Sequence, residues 1–195
     1  MAGIYPLSAK LELPMVLVAE RLESAHGFIP NLRVVSPDLV RGGQPDPGGL
    51  PTLKEAGLRT IICLSGGGAG LVGLLSSGGK SLSENRETQQ ERAQADKLGL
   101  KFISIPLDVF SAPPMESIEL FISTISQEEH RPAFVHCLHG RDRTGLMTAV
   151  YRVVFQNWTA DKAYAEMLQC GFDMSRTNLS DALFAVAKQR AAGRG

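Results

Sequence analysis

Short apolar runs alternate with helical patterns along most of this chain. Residues 60–64, 102–107 and 132–135 are apolar runs of strand length, and each predicts a buried strand. Two further runs, residues 33–35 and 39–41, lie on either side of a Pro-Asp turn and predict a hairpin.

Helical segments lie between and after these strands. Gly57, Gly99 and Gly171 follow such segments and indicate where helices end. Thr159 is typical of a helix N-cap. The predicted helices are residues 50–56, residues 84–98, a segment opened by Pro113 and Pro114, residues 146–155, a segment from Thr159 to Gly171, and residues 179–191.

This order of elements predicts an α/β fold in one domain. Strands that alternate with helices pair mainly in parallel, so we expect a mixed, mainly parallel sheet of four to five strands, flanked by helices. Polar groups that follow the strands should gather at the carboxyl edge of that sheet. Residues 1–30 show weak periodicity and are interpreted as an N-terminal extension, and residues 31–195 as the domain.

A Gly- and Ser-rich stretch, residues 65–83, interrupts the alternation. Loops of this length are often functional lids. Residues 78–81, Gly-Gly-Lys-Ser, together with Gly73, resemble the phosphate loop of nucleotide triphosphatases. The spacing differs by one residue and the preceding strand ends far upstream, so the triphosphatase interpretation is disfavoured.

Composition narrows the class of protein. The chain has 195 residues, 44% of them apolar and 21% charged, with a net charge of zero. We expect one globular domain that is monomeric. Neither a nucleic-acid partner nor a membrane span is expected. The three cysteines favour a reducing compartment, so a cytoplasmic location is expected. The alternative is an exported form whose signal has been removed.

Candidate chemistry is concentrated between the strand at 132–135 and the helix that follows it. The loop there reads His136, Cys137, Leu138, His139, Gly140, Arg141, Asp142, Arg143, Thr144. Amide groups at a helix start and a closing arginine form a cradle for a tetrahedral oxyanion. In that field the pKa of a thiol falls from about 8.5 to roughly 4–7, so Cys137 should be a thiolate.

This loop resembles the signature of the cysteine-dependent protein tyrosine and dual-specificity phosphatases. The loop and residues 31–45 together are similar to the bacterial inositol polyphosphatases (phytases) of that superfamily, and to small fungal and plant dual-specificity-like phosphatases. The resemblance covers roughly residues 31–172. It implies a dual-specificity-phosphatase-like fold and hydrolysis of phosphate monoesters without a metal, through a cysteinyl-phosphate formed by Cys137.

Attack on a phosphate ester also needs a proton for the leaving oxygen. Asp108 follows a predicted strand, 29 positions before Cys137, and the general acid of the resembling family lies at about this separation. A helix-capping or solvated aspartate is the alternative. Asp142 is the competing candidate for the general acid, although its place inside the loop favours a role in bracing that loop. Asp108 would also activate water in the second step.

The remaining loop residues have supporting roles in this interpretation. Arg143 and the loop amides of residues 138–142 would hold the phosphate oxygens. The Thr144 hydroxyl would form a hydrogen bond with the Cys137 sulfur or cap the helix. His136 would orient the loop. Cys63 is interpreted as a core residue, and the alternative is that its thiol protects Cys137 from oxidation. Cys170 is interpreted as structural. The histidines form no ligand pattern, so no metal and no cofactor are expected.

The loop also predicts something about the substrate. His139 and Arg141 make the cradle unusually cationic, as in relatives that act on inositol phosphates. We therefore expect an inositol polyphosphate or a similar polyanion, with phosphoproteins as the alternative. A phosphate-binding pseudophosphatase, a sulfurtransferase and an arsenate reductase are less favoured, because binding alone needs no thiol and the Arg-Thr-Gly ending is typical of phosphoryl transfer.

Overall fold

A computed structural model of the chain describes residues 27–66 and 85–193. The predicted α/β fold in one domain is confirmed. Its sheet has five strands in the order β1-β2-β5-β3-β4. The strands are β1 (Arg33–Ser36), β2 (Leu39–Gly42), β3 (Thr60–Cys63), β4 (Lys101–Ser104) and β5 (Ala133–His136). β1 and β2 form the predicted antiparallel hairpin, and the remaining pairs are parallel.

Six α-helices of the described residues flank the sheet. They are α1 (Gly49–Glu55), α2 (Arg86–Lys97), α3 (Met115–Ser126), α4 (Asp142–Phe155), α5 (Ala160–Gln169) and α6 (Thr177–Ala192). Thr159 caps α5 as predicted, since its side chain accepts a hydrogen bond from the Lys162 amide. In the described part of the chain, no helix combines the length and apolarity needed to cross a bilayer.

The strand predicted over residues 102–107 is shorter in the structure, because β4 ends at Ser104. Pro106 has no amide hydrogen to donate to a neighbour. The chain nevertheless continues beside β3: Ile105 N donates to Cys63 O at 2.9 Å, and Leu107 N donates to Leu64 O at 3.1 Å. This extended course carries Asp108 to the carboxyl edge of the sheet.

Side-chain alternation along the strands divides the core into two layers. Ile62, Val135 and Cys137 pack with the layer that contains α3, α4 and α6. Cys63 and Phe134 pack with the opposite layer, beneath α1. Cys63 and Cys137 therefore lie on opposite faces of the sheet, which favours the interpretation of Cys63 as core rather than as a thiol that protects Cys137.

Helix α4 runs through the middle of the larger layer. Apart from Arg152, every residue from Thr144 to Phe155 is buried. The helix contacts α3, α5, α6, β2 and β5. Its first turn carries Arg143, so the packing of the core fixes the position of one end of the candidate site.

Two sequence-based predictions fall wholly or largely outside the described residues. The N-terminal extension over residues 1–30 stays a prediction, as does the domain boundary at residue 31. The loop over residues 65–83, with its triphosphatase-like Lys80 and Ser81, is described only at Ser65 and Gly66.

Candidate active site

Cys137 directly follows β5 and is buried at the start of the loop that leads into α4. Burial by itself raises the pKa of the thiol. The hydrogen bond from the Thr144 hydroxyl, the charge of Arg143 and the amides of Thr144 and Gly140 outweigh this effect and hold the pKa below its ordinary value. The surroundings of Cys137 thus favour the thiolate, the form that attacks phosphorus.

Arg143 is held by the segments that follow two neighbouring strands, β3 and β4. Its Nη1 donates to the carbonyls of Leu64 and Leu107, each at 3.3 Å. Its Nε is buried and has no hydrogen-bond partner among the residues that the structure describes. A guanidinium held in this way has its Nε–H group available to donate to a phosphate oxygen.

Gly140 takes a backbone conformation that other residues rarely adopt, with φ of +68°. A Cβ atom at this position would lie 2.5 Å from the backbone of Gly42 and Gly43. The loop therefore packs directly on the end of β2. Gln44 N reinforces this contact by donating to Leu138 O at 3.1 Å.

Two residues that the sequence did not single out hold the Gly140 carbonyl. Asn31 Nδ2 donates to it at 2.8 Å, and Arg41 Nη2 donates to it as well. The same Asn31 amide group donates to Cys170 O at 2.9 Å. The sequence contained one signal for Arg41, namely its place within the apolar run of β2. Charged residues are almost never fully buried unless they are paired.

Arg41 is 1% exposed. Burial lowers its pKa, while Cys170, Glu166 and Cys137 act in the opposite direction. A guanidinium stays protonated in proteins. Arg41 therefore adds a positive charge on the inner side of the loop, near the Cys137 thiol.

Asp108 lies beyond β4, on a loop at the carboxyl edge of the sheet. Its carboxylate accepts hydrogen bonds from Phe110 N at 3.0 Å and from the Ser111 hydroxyl at 2.7 Å. Partial burial raises the pKa of Asp108, but these bonds and the field of Arg143 bring it below the ordinary value. The Asp108 carboxylate is therefore stabilised in its ionised form mainly by hydrogen bonds within its own loop, and Arg143 adds a smaller electrostatic contribution.

The Asp108 loop is attached to the start of α6. Asn178 Nδ2 donates to Val109 O at 3.2 Å and to Ser111 O at 2.7 Å. The Arg176 guanidinium lies 4.5 Å from the centre of the Phe110 ring. These contacts fix the loop that carries the candidate acid.

Thr144 and Asp142 make different contacts although both lie in the first turn of α4. The buried Thr144 hydroxyl donates a hydrogen bond to Gly42 O at 3.3 Å, and it lies close enough to the Cys137 sulfur to rotate its proton toward a thiolate. The Asp142 carboxylate accepts a hydrogen bond from Asp173 N at 2.9 Å, which ties α4 to the loop before α6. This contact favours the expected bracing role of Asp142.

The rim of the cradle is both cationic and apolar. His139 and Arg141 are exposed, and Leu138 is 51% exposed. The aliphatic part of Arg141 lies close to Gly171, at the end of α5. Phe110, on the Asp108 loop, is 76% exposed.

His136 is buried beneath the loop, on the face of the sheet opposite Cys137. Its ring stacks on Phe134, and its Nε2 lies 3.1 Å from Glu91 Oε1. Burial by itself would lower the pKa of His136, but the Cys63 thiol and the Glu91 carboxylate raise it to about 10. The sequence indicated a buried His136 but not Glu91, which lies on α2.

Comparison with known proteins agrees with this geometry. The model of a family described as "DSP-PTPase phosphatase fused to NAD+ Kinase" matches residues 25–184. The chain is 25% identical over 142 residues to the dual specificity protein phosphatase TpbA of Pseudomonas aeruginosa, covering 73% of this chain and 55% of TpbA. It is 33% identical over 115 residues to chloroplastic NAD kinase 2 of Arabidopsis thaliana, covering 57% of this chain and 10% of that protein.

Solved structures show the same fold. The crystal structure of TpbA superposes with a TM-score of 0.61 at 23% identity, over 85% of this chain and 92% of that one. The catalytic core of the PP-IP phosphatase Siw14 of Saccharomyces cerevisiae gives 0.64 at 17% identity, over 86% and 94%. The chain spans about half the length of the curated TpbA sequence. Since the family model matches most of the chain, the chain belongs to this DSP-PTPase phosphatase family, within the cysteine-dependent superfamily that the loop motif predicted.

Proposed function

We propose that this domain hydrolyses phosphate monoesters through a cysteinyl-phosphate intermediate. The observation that carries the proposal is the pairing of Cys137, whose pKa is lowered, with Arg143, whose buried Nε has no partner among the described residues. A thiolate beside a free guanidinium donor matches what phosphoryl transfer needs, namely a nucleophile and charge stabilisation at the phosphate oxygens.

In the first step, the Cys137 sulfur forms a bond to phosphorus while the bond from phosphorus to the ester oxygen breaks. The leaving oxygen takes the proton of Asp108. In the second step, Asp108 accepts a proton from water, whose oxygen bonds to phosphorus and releases the Cys137 thiolate. The Thr144 hydroxyl stabilises that leaving thiolate. Arg143 and the loop amides hold the phosphate oxygens throughout.

The preferred substrate in this proposal is a polyanion such as an inositol polyphosphate. Its support is the position of His139 and Arg141, which are exposed next to the cradle, where a second phosphate on a substrate ring would meet them. A charge-assisted contact of this kind contributes about 1.5–3 kcal/mol. Siw14, described as a PP-IP phosphatase, is a relative in fold only.

A phosphoprotein is the second candidate substrate. The exposed Leu138 on the cradle loop and the exposed Phe110 on the Asp108 loop favour it, because exposed apolar side chains are suited to peptide contacts. TpbA carries the name of a dual specificity protein phosphatase.

The first test is hydrolysis of para-nitrophenyl phosphate by the purified chain. Turnover that vanadate blocks and a chelator leaves unchanged would support the proposed chemistry, and binding of phosphate without turnover would contradict it. A panel of inositol phosphates and phosphopeptides then separates the two substrate classes. A higher kcat/KM for every phosphotyrosine peptide than for any inositol phosphate would overturn the polyanion preference.

A further inference from the structure

A second cluster of side chains that could act as ligands lies on the face of the sheet opposite Cys137. Cys63 ends β3, His136 ends β5, and the two are paired in the register of the parallel strands. Glu91 reaches them from α2. All three residues are buried, and one ligand atom from each lies within 4.8 Å of the others.

The polar atoms of this cluster are poorly satisfied. Neither ring nitrogen of His136 and neither carboxylate oxygen of Glu91 has an aligned hydrogen bond among the residues that the structure describes. Glu91 Oε1 and His136 Nε2 lie 3.1 Å apart, so the two groups attract each other electrostatically. Buried polar groups are almost always hydrogen-bonded, so atoms whose contacts are mainly electrostatic can accept a further partner between them.

We propose that Cys63, Glu91 and His136 bind a zinc ion. A thiolate, an imidazole nitrogen and a carboxylate oxygen are the ligand types that zinc takes in proteins. The separation of 3.1 Å between Glu91 Oε1 and His136 Nε2 is close to the distance between two ligands of a tetrahedral zinc ion, about 3.3 Å for bonds of about 2.0 Å. Two anionic ligands also neutralise the ion, which suits a buried position.

The scaffold supports this assignment. Two of the ligands, Cys63 and His136, are the last residues of adjacent, hydrogen-bonded strands. The third, Glu91, lies on a helix that packs against β4. Their spacing is thus set by the sheet rather than by loops. One position of the tetrahedral shell remains for water.

The zinc would act on the fold rather than on the chemistry. His136 directly precedes Cys137, but its side chain and that of Cys137 lie on opposite faces of the sheet. The ion would join β3, β5 and α2 beneath the nucleophile loop and stabilise the domain by binding the folded state alone. Phosphoryl transfer at Cys137 needs no part of it.

The test uses the whole purified chain after removal of metal with a chelator. Zinc is titrated in competition with a chromophoric chelator, and cobalt is added separately because it reports thiolate ligation by charge-transfer absorption. We expect one equivalent of zinc, a thiolate-to-cobalt band and a higher thermal midpoint with zinc. Cys63→Ala and Glu91→Gln should each weaken zinc binding by more than the roughly 10–100-fold that loss of an outer-shell partner costs, because each alters a ligand itself.

The controls are Cys137→Ser and Cys170→Ser, which should keep the band, whereas Cys63→Ala should lose it. Circular dichroism establishes that each variant is folded. Glu91→Gln keeps the size of the side chain and tests the site if Cys63→Ala fails to fold. A band that disappears in Cys137→Ser and persists in Cys63→Ala would place the metal on the nucleophile and overturn the proposal. Absence of zinc uptake by the folded chain would overturn it as well.

Discussion

Asn31 and Gly140 are 109 positions apart in the chain, yet the Asn31 amide group donates to the Gly140 carbonyl at 2.8 Å. Asn31 itself has a positive φ of 51°. Asn31, two positions before the hairpin, thus orients a peptide of the phosphate cradle, and its own backbone is in a conformation that asparagine tolerates.

Asn31→Gly should lower kcat/KM for an aryl phosphate by about tenfold. Glycine keeps the left-handed backbone, so the substitution removes the hydrogen bonds to Gly140 and Cys170, and the exposed one from Arg33 Nε, without adding strain. The loss of stability should be about 1–3 kcal/mol by denaturant unfolding. Asn157→Gly, at a similar φ of 56° beyond the far end of α4, is the matched control. Equal losses of kcat/KM in both variants would contradict a role for Asn31 in the cradle.

Cys137→Ser should retain the fold and phosphate binding but lose turnover. A serine hydroxyl is not ionised in this field, because its pKa is far higher than that of a thiol. Steady-state kinetics and calorimetric titration with phosphate measure the two properties. Residual activity of about one tenth of wild type would exclude Cys137 as the nucleophile.

Asp108→Asn should lower the rate by roughly 10²–10⁴-fold on esters with poor leaving groups. The loss should shrink on an activated aryl phosphate, because that leaving group needs little protonation. Rates on an alkyl and a nitrophenyl ester give the comparison. Asp142→Asn serves as the competing variant, and a larger, leaving-group-dependent loss there would move the acid to Asp142.

The pH profile of kcat/KM should have its maximum on the acidic side of neutrality. Cys137 must be ionised, so activity falls as the pH decreases through the lowered pKa of its thiol. Asp108 must be protonated, so activity falls as the pH increases through its carboxyl pKa, which is also lowered. Asp108→Asn should remove the alkaline fall. An alkaline optimum in the wild type would contradict this assignment.

Arg141→Gln should raise KM for an inositol polyphosphate about tenfold, with a smaller effect on a small aryl phosphate. The expectation rests on the exposed position of Arg141 beside the cradle. Arg59→Gln removes an exposed charge just before β3, at the opposite edge of the sheet, and is the control. Equal losses on both substrates would mean that Arg141 braces the loop instead.

The sequence predicted the parts of the site that are contiguous in the chain. The loop from His136 to Thr144 carries its own pattern, and the sheet edge follows from the alternation of strands and helices. The contacts of Arg41 with Gly140 and of Glu91 with His136 were missed, because they join segments far apart in the chain. No local periodicity records such a contact. Their signal was only a charged residue at a position that the fold buries.

The burial of α4 has a consequence for how the domain loses activity. Amides of a buried core helix are expected to exchange with solvent through openings whose free energy approaches that of global unfolding. The cradle is the direct N-terminal continuation of this helix, so we expect it to open with the same cooperative unit rather than as a loosely held loop. Under increasing denaturant, hydrolysis should therefore disappear together with the slowest-exchanging amides of α4, in a single transition.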